Sequence, residues 1–236
     1  MALSPFTSKL DTEPPNLITQ ARKALECFSL EDLVCQRHAG GVVNPWLSRW
    51  VILCKDGFGK IGLRVQTYNK GVFVSLVIAG SPAAMAGLRF GDQLLTLGKT
   101  TLAGMTADAV HCRLKCSPVN NIVIAVRDRP LCRSLVLHKD KAGRLGIKVK
   151  RGAVAAIAVN SSAARNGLLT DHQVIEVNGA CVVGLTEEEI GRQVEDGGYI
   201  VTITVMHSNM LREITRDMSS WLVKNKMNHS FHGQFM

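Results

Sequence analysis

The sequence predicts a mainly β protein with helices, of the α+β class: two similar small domains in tandem, each a partly open β-barrel or sandwich with one short and one long helix. An internal repeat carries this reading. Residues 81–88 read SPAAMAGL and residues 161–168 read SSAARNGL. An alternating apolar–polar run follows each, from Asp92 to Leu97 and from His172 to Val177. Roughly twenty residues before each lies a basic–apolar–glycine–apolar tetrad, Lys60-Ile61-Gly62-Leu63 and Arg144-Leu145-Gly146-Ile147. A period of about eighty residues is too long for a solenoid unit, which runs at ~20–50 residues. It is the length of a small domain with its own core. The composition agrees: 46% of the 236 residues are hydrophobic but only 5% aromatic, so the cores should be aliphatic.

In the first repeat, Trp50–Cys54 reads as a strand, and residues 63–67 and 72–78 as two more, rich in Val, Phe and Ile. Ser81 can cap a short helix with Pro82 in its first position, and Gly87 can end it. Strand 92–97 follows. Thr106 can cap a longer helix over 107–116, with Ala109, Val110 and Leu114 on one face. Ile122–Val126 closes the domain, and Arg127-Asp128-Arg129-Pro130 is charged and proline-broken, as a short linker would be. The order then recurs: strands at 134–138, 146–150 and 153–159, a short helix at 162–166, a strand at 173–177, a helix at 186–195 and a strand at 199–205. The domains implied are a first unit at 49–128, a linker at 129–132 and a second unit at 133–206. Residues 207–236 form a tail whose 210–226 stretch is amphipathic, with Met210, Leu211, Ile214, Met218, Trp221 and Leu222 on one side. It is expected to be a helix packed on the second unit. Residues 1–48, with Pro5, Pro14, Pro15 and Pro45, read as a flexible region holding one helix near 17–28 capped by Asn16.

Composition bounds the function. The net charge of +9 suits an anionic partner: a phosphoinositide surface, nucleic acid or an acidic peptide. The seven cysteines, at 27, 35, 54, 112, 116, 132 and 181, include no Cys-x-x-Cys pair. A zinc site of ordinary spacing is therefore not expected, and the cysteines read as small apolar residues of a reducing compartment. No run of eighteen apolar residues and no signal-peptide core is present. Neither a Gly-x-Ser-x-Gly elbow nor His-Glu-x-x-His, a Walker loop or a dinucleotide glycine pattern occurs, so neither catalysis nor a cofactor is expected. Nucleic-acid binding is allowed by the charge, but two tyrosines and 5% aromatic content supply no stacking platform.

Each repeat offers a groove. A small antiparallel barrel with a late helix beside an edge strand can accept an extended peptide as an added strand. A tight glycine loop at the groove's end, with inward backbone N–H groups, suits a terminal carboxylate.

These tetrads, with the SPAAMAGLRFGDQLL and SSAARNGL…VIEVNG stretches, resemble PDZ domains. The series VILCKDGFGKIGLR, GLRFGDQLL, RDRP, HKD and SSAARNGLL, with Asn160 before the last, is similar to the syntenins, adaptors with two PDZ domains. The likeness covers about residues 50–206. Residues 1–48 depart from it, lacking that family's long Tyr-Pro-rich region. In PDZ domains the tetrad is Gly-apolar-Gly-apolar; the second glycine is kept as Gly62 and Gly146, and the first is replaced by Lys60 and Arg144. The resemblance implies that Lys60, Ile61, Gly62 and Leu63, and Arg144, Leu145, Gly146 and Ile147, form the carboxylate-binding loops. It implies that the groove helices present Ala107, His111 and Leu114 in the first module and Glu187, Gly191 and Val194 in the second. His111 would face the middle of a bound peptide. A histidine at the first of these helix positions favours Ser or Thr in the ligand; neither module has one, so apolar or loosely chosen side chains are implied.

By the same resemblance, Lys55, Lys139 and Lys150 would bind phosphoinositide headgroups, although on their own they read as solvated surface lysines. A further family lysine is Thr186 here. The implied function is a non-enzymatic adaptor that binds C-terminal tails of transmembrane proteins, syndecan-like, at an anionic phosphoinositide surface, and links receptors to trafficking and signalling. The implied setting is cytoplasmic, peripheral at the plasma membrane and also nuclear, with self-association or pairing with related adaptors. The apolar end Gln234-Phe235-Met236 is a candidate ligand for such a groove.

Overall fold

A computed structural model describes residues 48–230. The helix expected near 17–28 and the C-terminal Gln234–Met236 lie outside the described residues. The chain runs β1 (Ser48–Leu53), β2 (Leu63–Tyr68), β3 (Gly71–Val77), α1 (Pro82–Met85), β4 (Gln93–Leu97), β5 (Thr100–Thr101), α2 (Ala107–Cys116) and β6 (Ile122–Arg127). The series then repeats as β7 (Cys132–His138), β8 (Ile147–Lys150), β9 (Ala153–Ile157), α3 (Ser162–Arg165), β10 (His172–Val177), β11 (Ala180–Cys181), α4 (Glu187–Asp196) and β12 (Ile200–His207). Two further helices end it, α5 (Ser208–Thr215) and α6 (Ser220–Lys226).

Each module has one antiparallel sheet, in the order β1-β6-β4-β3-β2 and β7-β12-β10-β9-β8. The short strands β5 and β11, not expected from the sequence, pair with β4 and β10 as two-residue ladders. A pair of residues is too short for any hydrophobic alternation to show. The caps expected at Ser81 and Thr106 form, and Ser161 and Thr186, for which no cap was expected, repeat them: each accepts a backbone N–H of the first helical turn. Thr186 adds a capping box with Glu189. This is what the threonine does at a position where the family lysine was expected.

Each sheet wraps an aliphatic core. The first centres on Val51, Leu53, Val74, Leu94, Leu102, Val110 and Ile124. The second centres on Leu137, Val154, Val174, Val182, Ile190, Val201 and Ile203. A third cluster joins the modules. Phe73, Leu76 and Phe90 of the first meet Ile175, Cys181 and Met206 of the second, with Ile214, Val223 and Met227 from the C-terminal segment. α5 and α6 pack on β3, every residue of which is buried, whereas β9, its counterpart, exposes Ala155 and Ala156.

The C-terminal segment corrects the sequence expectation twice. It is two helices, because Ser219 starts a new one by accepting the Leu222 N–H. It also packs on both modules, with α5 lying against β2 and β3 as well as β10 and β12. Beyond α6, Met227 bridges to Ile78, the Asn228 N–H donates to Val77 O at 2.8 Å, and the Ala79 N–H donates to Lys226 O. The linker is equally engaged. The Arg129 N–H donates to Asp92 Oδ1 of the first module, while its guanidinium pairs with Glu176 of the second.

Candidate functional site: two edge-strand grooves with glycine loops

β2 and β8 are the outermost strands of their sheets, each hydrogen-bonded on one side only, to β3 and β9. The open edge of β2 faces α2, which packs against it. At the head of each edge strand stands the tetrad. Gly62 and Gly146 both adopt φ +76, a region that only glycine enters freely. Among the described residues, nothing accepts the N–H groups of Ile61, Gly62, Leu145 or Gly146. Neighbouring backbone donors converging without an acceptor form a concavity suited to an anion.

The loop is held by an aspartate. Asp56 Oδ1 accepts the N–H of Phe58 and of Lys60, and the Asp56 N–H donates to Lys60 O. Asp140 Oδ1 likewise accepts the N–H of Ala142 and of Arg144, and the Asp140 N–H donates to Arg144 O. The N–H donated by Arg144 holds the Asp140 carboxyl below the usual carboxylate range. The sequence reading missed both aspartates as site residues. The signal was present: Lys-Asp recurs at 55–56 and 139–140, the same 84-residue offset that relates Gly62 to Gly146.

The lysines of the proposed lipid site are placed differently from one another. Lys55 Nζ donates to the carbonyls of Lys115 and Ser117, at the C-terminal end of α2. Lys139 is buried, and its Nζ donates to Glu195 O, in the last turn of α4. Both ammonium groups thus satisfy helix-terminal carbonyls where the helix dipole favours a cation. These contacts differ from both the headgroup role that the resemblance implies and the solvated surface position that the residues alone suggest, because the helix ends they reach are distant in sequence. Lys150 is exposed at the end of β8.

The loops open into basic clefts. The first, of about 730 Å³, is lined by Lys55, Lys60, Arg64 and Lys115, and also by His111 and Leu114. The second, of about 870 Å³, is lined by Lys139, Lys141, Arg144, Lys148 and Arg165 and runs towards Val159 and Tyr199.

The groove helices differ in what they present. Leu114 is buried. His111 is half-buried, burial lowers its pKa, and its Nε2 accepts the N–H of Val65 in β2 at 3.4 Å. In the second module Glu187 Oε1 accepts the N–H of Arg151, tying α4 to the β8–β9 turn. No atom lies within 4 Å of where a Cβ at Gly191 would sit. Ala107 and Val194 are partly buried. Of the cysteines, Cys112 and Cys116 are exposed on α2, while burial pushes the thiols of Cys132 and Cys181 up to about 12. Among the described residues no three His, Cys, Asp or Glu side chains gather in a metal-holding arrangement, and no helix is long and apolar enough to cross a membrane.

A family model for the PDZ domain matches residues 51–123 and again 134–206. The chain is 44% identical to syntenin-1 of Mus musculus over 182 residues, which are 77% of this chain and 61% of that protein. It is 41% identical to syntenin-2 of Mus musculus, covering 77% of this chain and 62% of that one. It is 26% identical to the amyloid-beta A4 precursor protein-binding family A member 2 of Homo sapiens, covering 78% of this chain and 23% of that one. The chain therefore spans about three fifths of the length of the syntenins it matches. With two PDZ models covering most of its length and an edge-strand groove in each, the chain belongs to the PDZ domain family.

Proposed function

We propose that this protein is a non-enzymatic adaptor that binds the C-terminal peptides of other proteins in two PDZ grooves. The observation that carries the reading is the repeated pair of unpartnered N–H groups, Ile61–Gly62 and Leu145–Gly146, at the head of an edge strand, with α2 packed beside the first. A peptide added to β2 or β8 extends the sheet, and its terminal carboxylate meets those donors. Each groove alone should bind with a dissociation constant of about 1–50 µM, or about −6 to −8 kcal/mol. Two grooves in one chain gain by effective concentration when tails are clustered.

The partners that fit are cytoplasmic tails of transmembrane proteins, with the adaptor held at an anionic inner membrane surface and linking receptors to trafficking and signalling. The support is the charge of the clefts: Lys141, Arg144, Lys148 and Arg165 around the second loop, with Lys150 exposed nearby. A lysine or arginine near an anionic surface contributes about 1 kcal/mol. The setting this gives is cytoplasmic and peripheral at the plasma membrane, with a nuclear fraction, and pairing with related adaptors.

Short peptides with apolar ends, each as free acid and as C-terminal amide, test the central reading. The acid should bind and the amide should lose most of the affinity; equal affinities would overturn carboxylate capture. Lys148→Glu with Lys150→Glu tests the lipid part on vesicles containing phosphatidylinositol bisphosphate, where unchanged binding would remove it.

A further inference from the structure

Strand addition requires free backbone donors and acceptors along the edge that receives the new strand. The first groove does not offer them all. The β2–β3 ladder is irregular between Arg64 and Val65, and the Val65 N–H is taken by His111 Nε2 from across the groove. That bond needs a neutral imidazole, since a protonated ring has no acceptor. Burial favours the neutral form. One turn further on, buried Leu114 seats α2 against β2.

The second groove is built the other way. Its edge strand has the same irregularity, between Lys148 and Val149. Yet no side chain among the described residues accepts the Val149 N–H. The helix position equivalent to His111 is Gly191, and the space beside it is empty. The Glu187 contact to the Arg151 N–H anchors the start of α4 without filling the groove.

We propose that His111 closes the first groove by competing for the Val65 donor, and that Gly191 leaves the second groove ready, so that one residue position sets which module reads a C-terminus first. This deepens the peptide-binding reading and rests on it. The closure is a contact a ligand can displace: at 3.4 Å the His111–Val65 bond is longer than the usual N–H range. The first module is thereby weakened as a reader, and a peptide that enters must replace the imidazole with its own carbonyl.

The test exchanges the two residues in the full chain. A hexapeptide ending in Phe-Ser-Val, as free acid and as amide, is titrated while backbone amide resonances are followed at Leu63 and Val65 and at Ile147 and Val149. In the unaltered protein the second pair should respond at lower peptide concentration. His111→Gly, and the milder His111→Ala, should tighten the first groove roughly five- to tenfold. Gly191→His should weaken the second by a similar factor; a histidine fits there, because the backbone is ordinary helix and the space is open. Independently of any peptide, the Val65 amide should exchange faster with solvent in His111→Ala. First-groove affinity and Val65 exchange unchanged by both His111 variants would overturn the proposal, as would an unchanged second groove in Gly191→His. If the free acid shifts neither pair in any variant, the peptide-binding reading itself falls. A responding second groove with an unmoved first separates failure of the plug from failure of that reading.

Discussion

Gly62 and Ser81 stand so close that a Cβ on the glycine would lie 2.1 Å from the serine Cβ. Gly146 and Ser161 repeat the relationship at 2.3 Å. Both serines are fixed, because each caps a short helix by accepting the N–H of Ala84 or Ala164. The carboxylate loop and the short helix are therefore locked to each other in both modules.

Gly62→Ala and Gly146→Ala should each destabilise their module by roughly 2–4 kcal/mol, combining the cost of a positive φ with a steric clash. Urea denaturation measures the loss, and free-acid peptide binding should fail at the altered loop first. A change below about 0.5 kcal/mol would show that the loop tolerates a side chain.

Lys139→Met keeps the apolar stem and removes the ammonium that donates to Glu195 O. The expected cost is about 1–2 kcal/mol, since the Glu195 carbonyl in the last turn of α4 loses its charged donor. The same substitution at Lys150, which is exposed, should leave the urea midpoint unmoved. Equal effects at both positions would contradict the structural role assigned to Lys139.

Asp92 is fully buried, and burial pushes its carboxyl up from 3.8 to about 6, against the opposing effects of the Arg89 N–H and the Arg49 guanidinium. The folded state thus binds a proton more tightly than the unfolded chain. Its contribution to stability is present in full below pH 3.8 and is lost as pH rises through about 6. The window holds at most about 3 kcal/mol. Asp92→Asn should flatten this part of the stability profile between pH 4 and pH 7 in denaturant titrations; an unchanged slope would assign it to other groups.

Ile214 of α5 is buried in the cluster that joins the modules. Ile214→Ala should cost about 2–4 kcal/mol. Because the lost contacts lie between modules, calorimetry should show one unfolding transition in the parent and two in the variant. A single transition shifted downward would mean that the modules still unfold together and that Ile214 does not couple them.

The repeat was legible because each module's core is local. The tetrads, the serine caps and the alternating strands put the apolar residues of one module into one core, and periodicity reports that directly. Thr186 and Ser219 show the limit. A capping threonine is readable as a cap, but that Ser219 breaks the 210–226 stretch depends on where the chain must turn to follow the other module. Phe73, Leu76 and Phe90 look in sequence like ordinary core residues of the first module. Their partners Ile175, Met206 and Ile214 lie more than eighty positions away, beyond the reach of any local pattern.

Spacing along the chain specifies two α+β modules, most of their strands and helices, and the glycine tetrads, while the candidate groove residues came from the family resemblance. What those side chains do once packed is visible only in three dimensions. The tertiary structure turned Lys55 and Lys139 onto helix ends, made Asp56 and Asp140 the braces of the loops, and set His111 against Val65 while leaving Gly191 bare. It also bound the modules together through α5, α6 and Arg129. The physical reason is that hydrogen-bond partners and buried contacts are chosen by proximity in space, and spacing in sequence fixes proximity only within an element or its immediate neighbours.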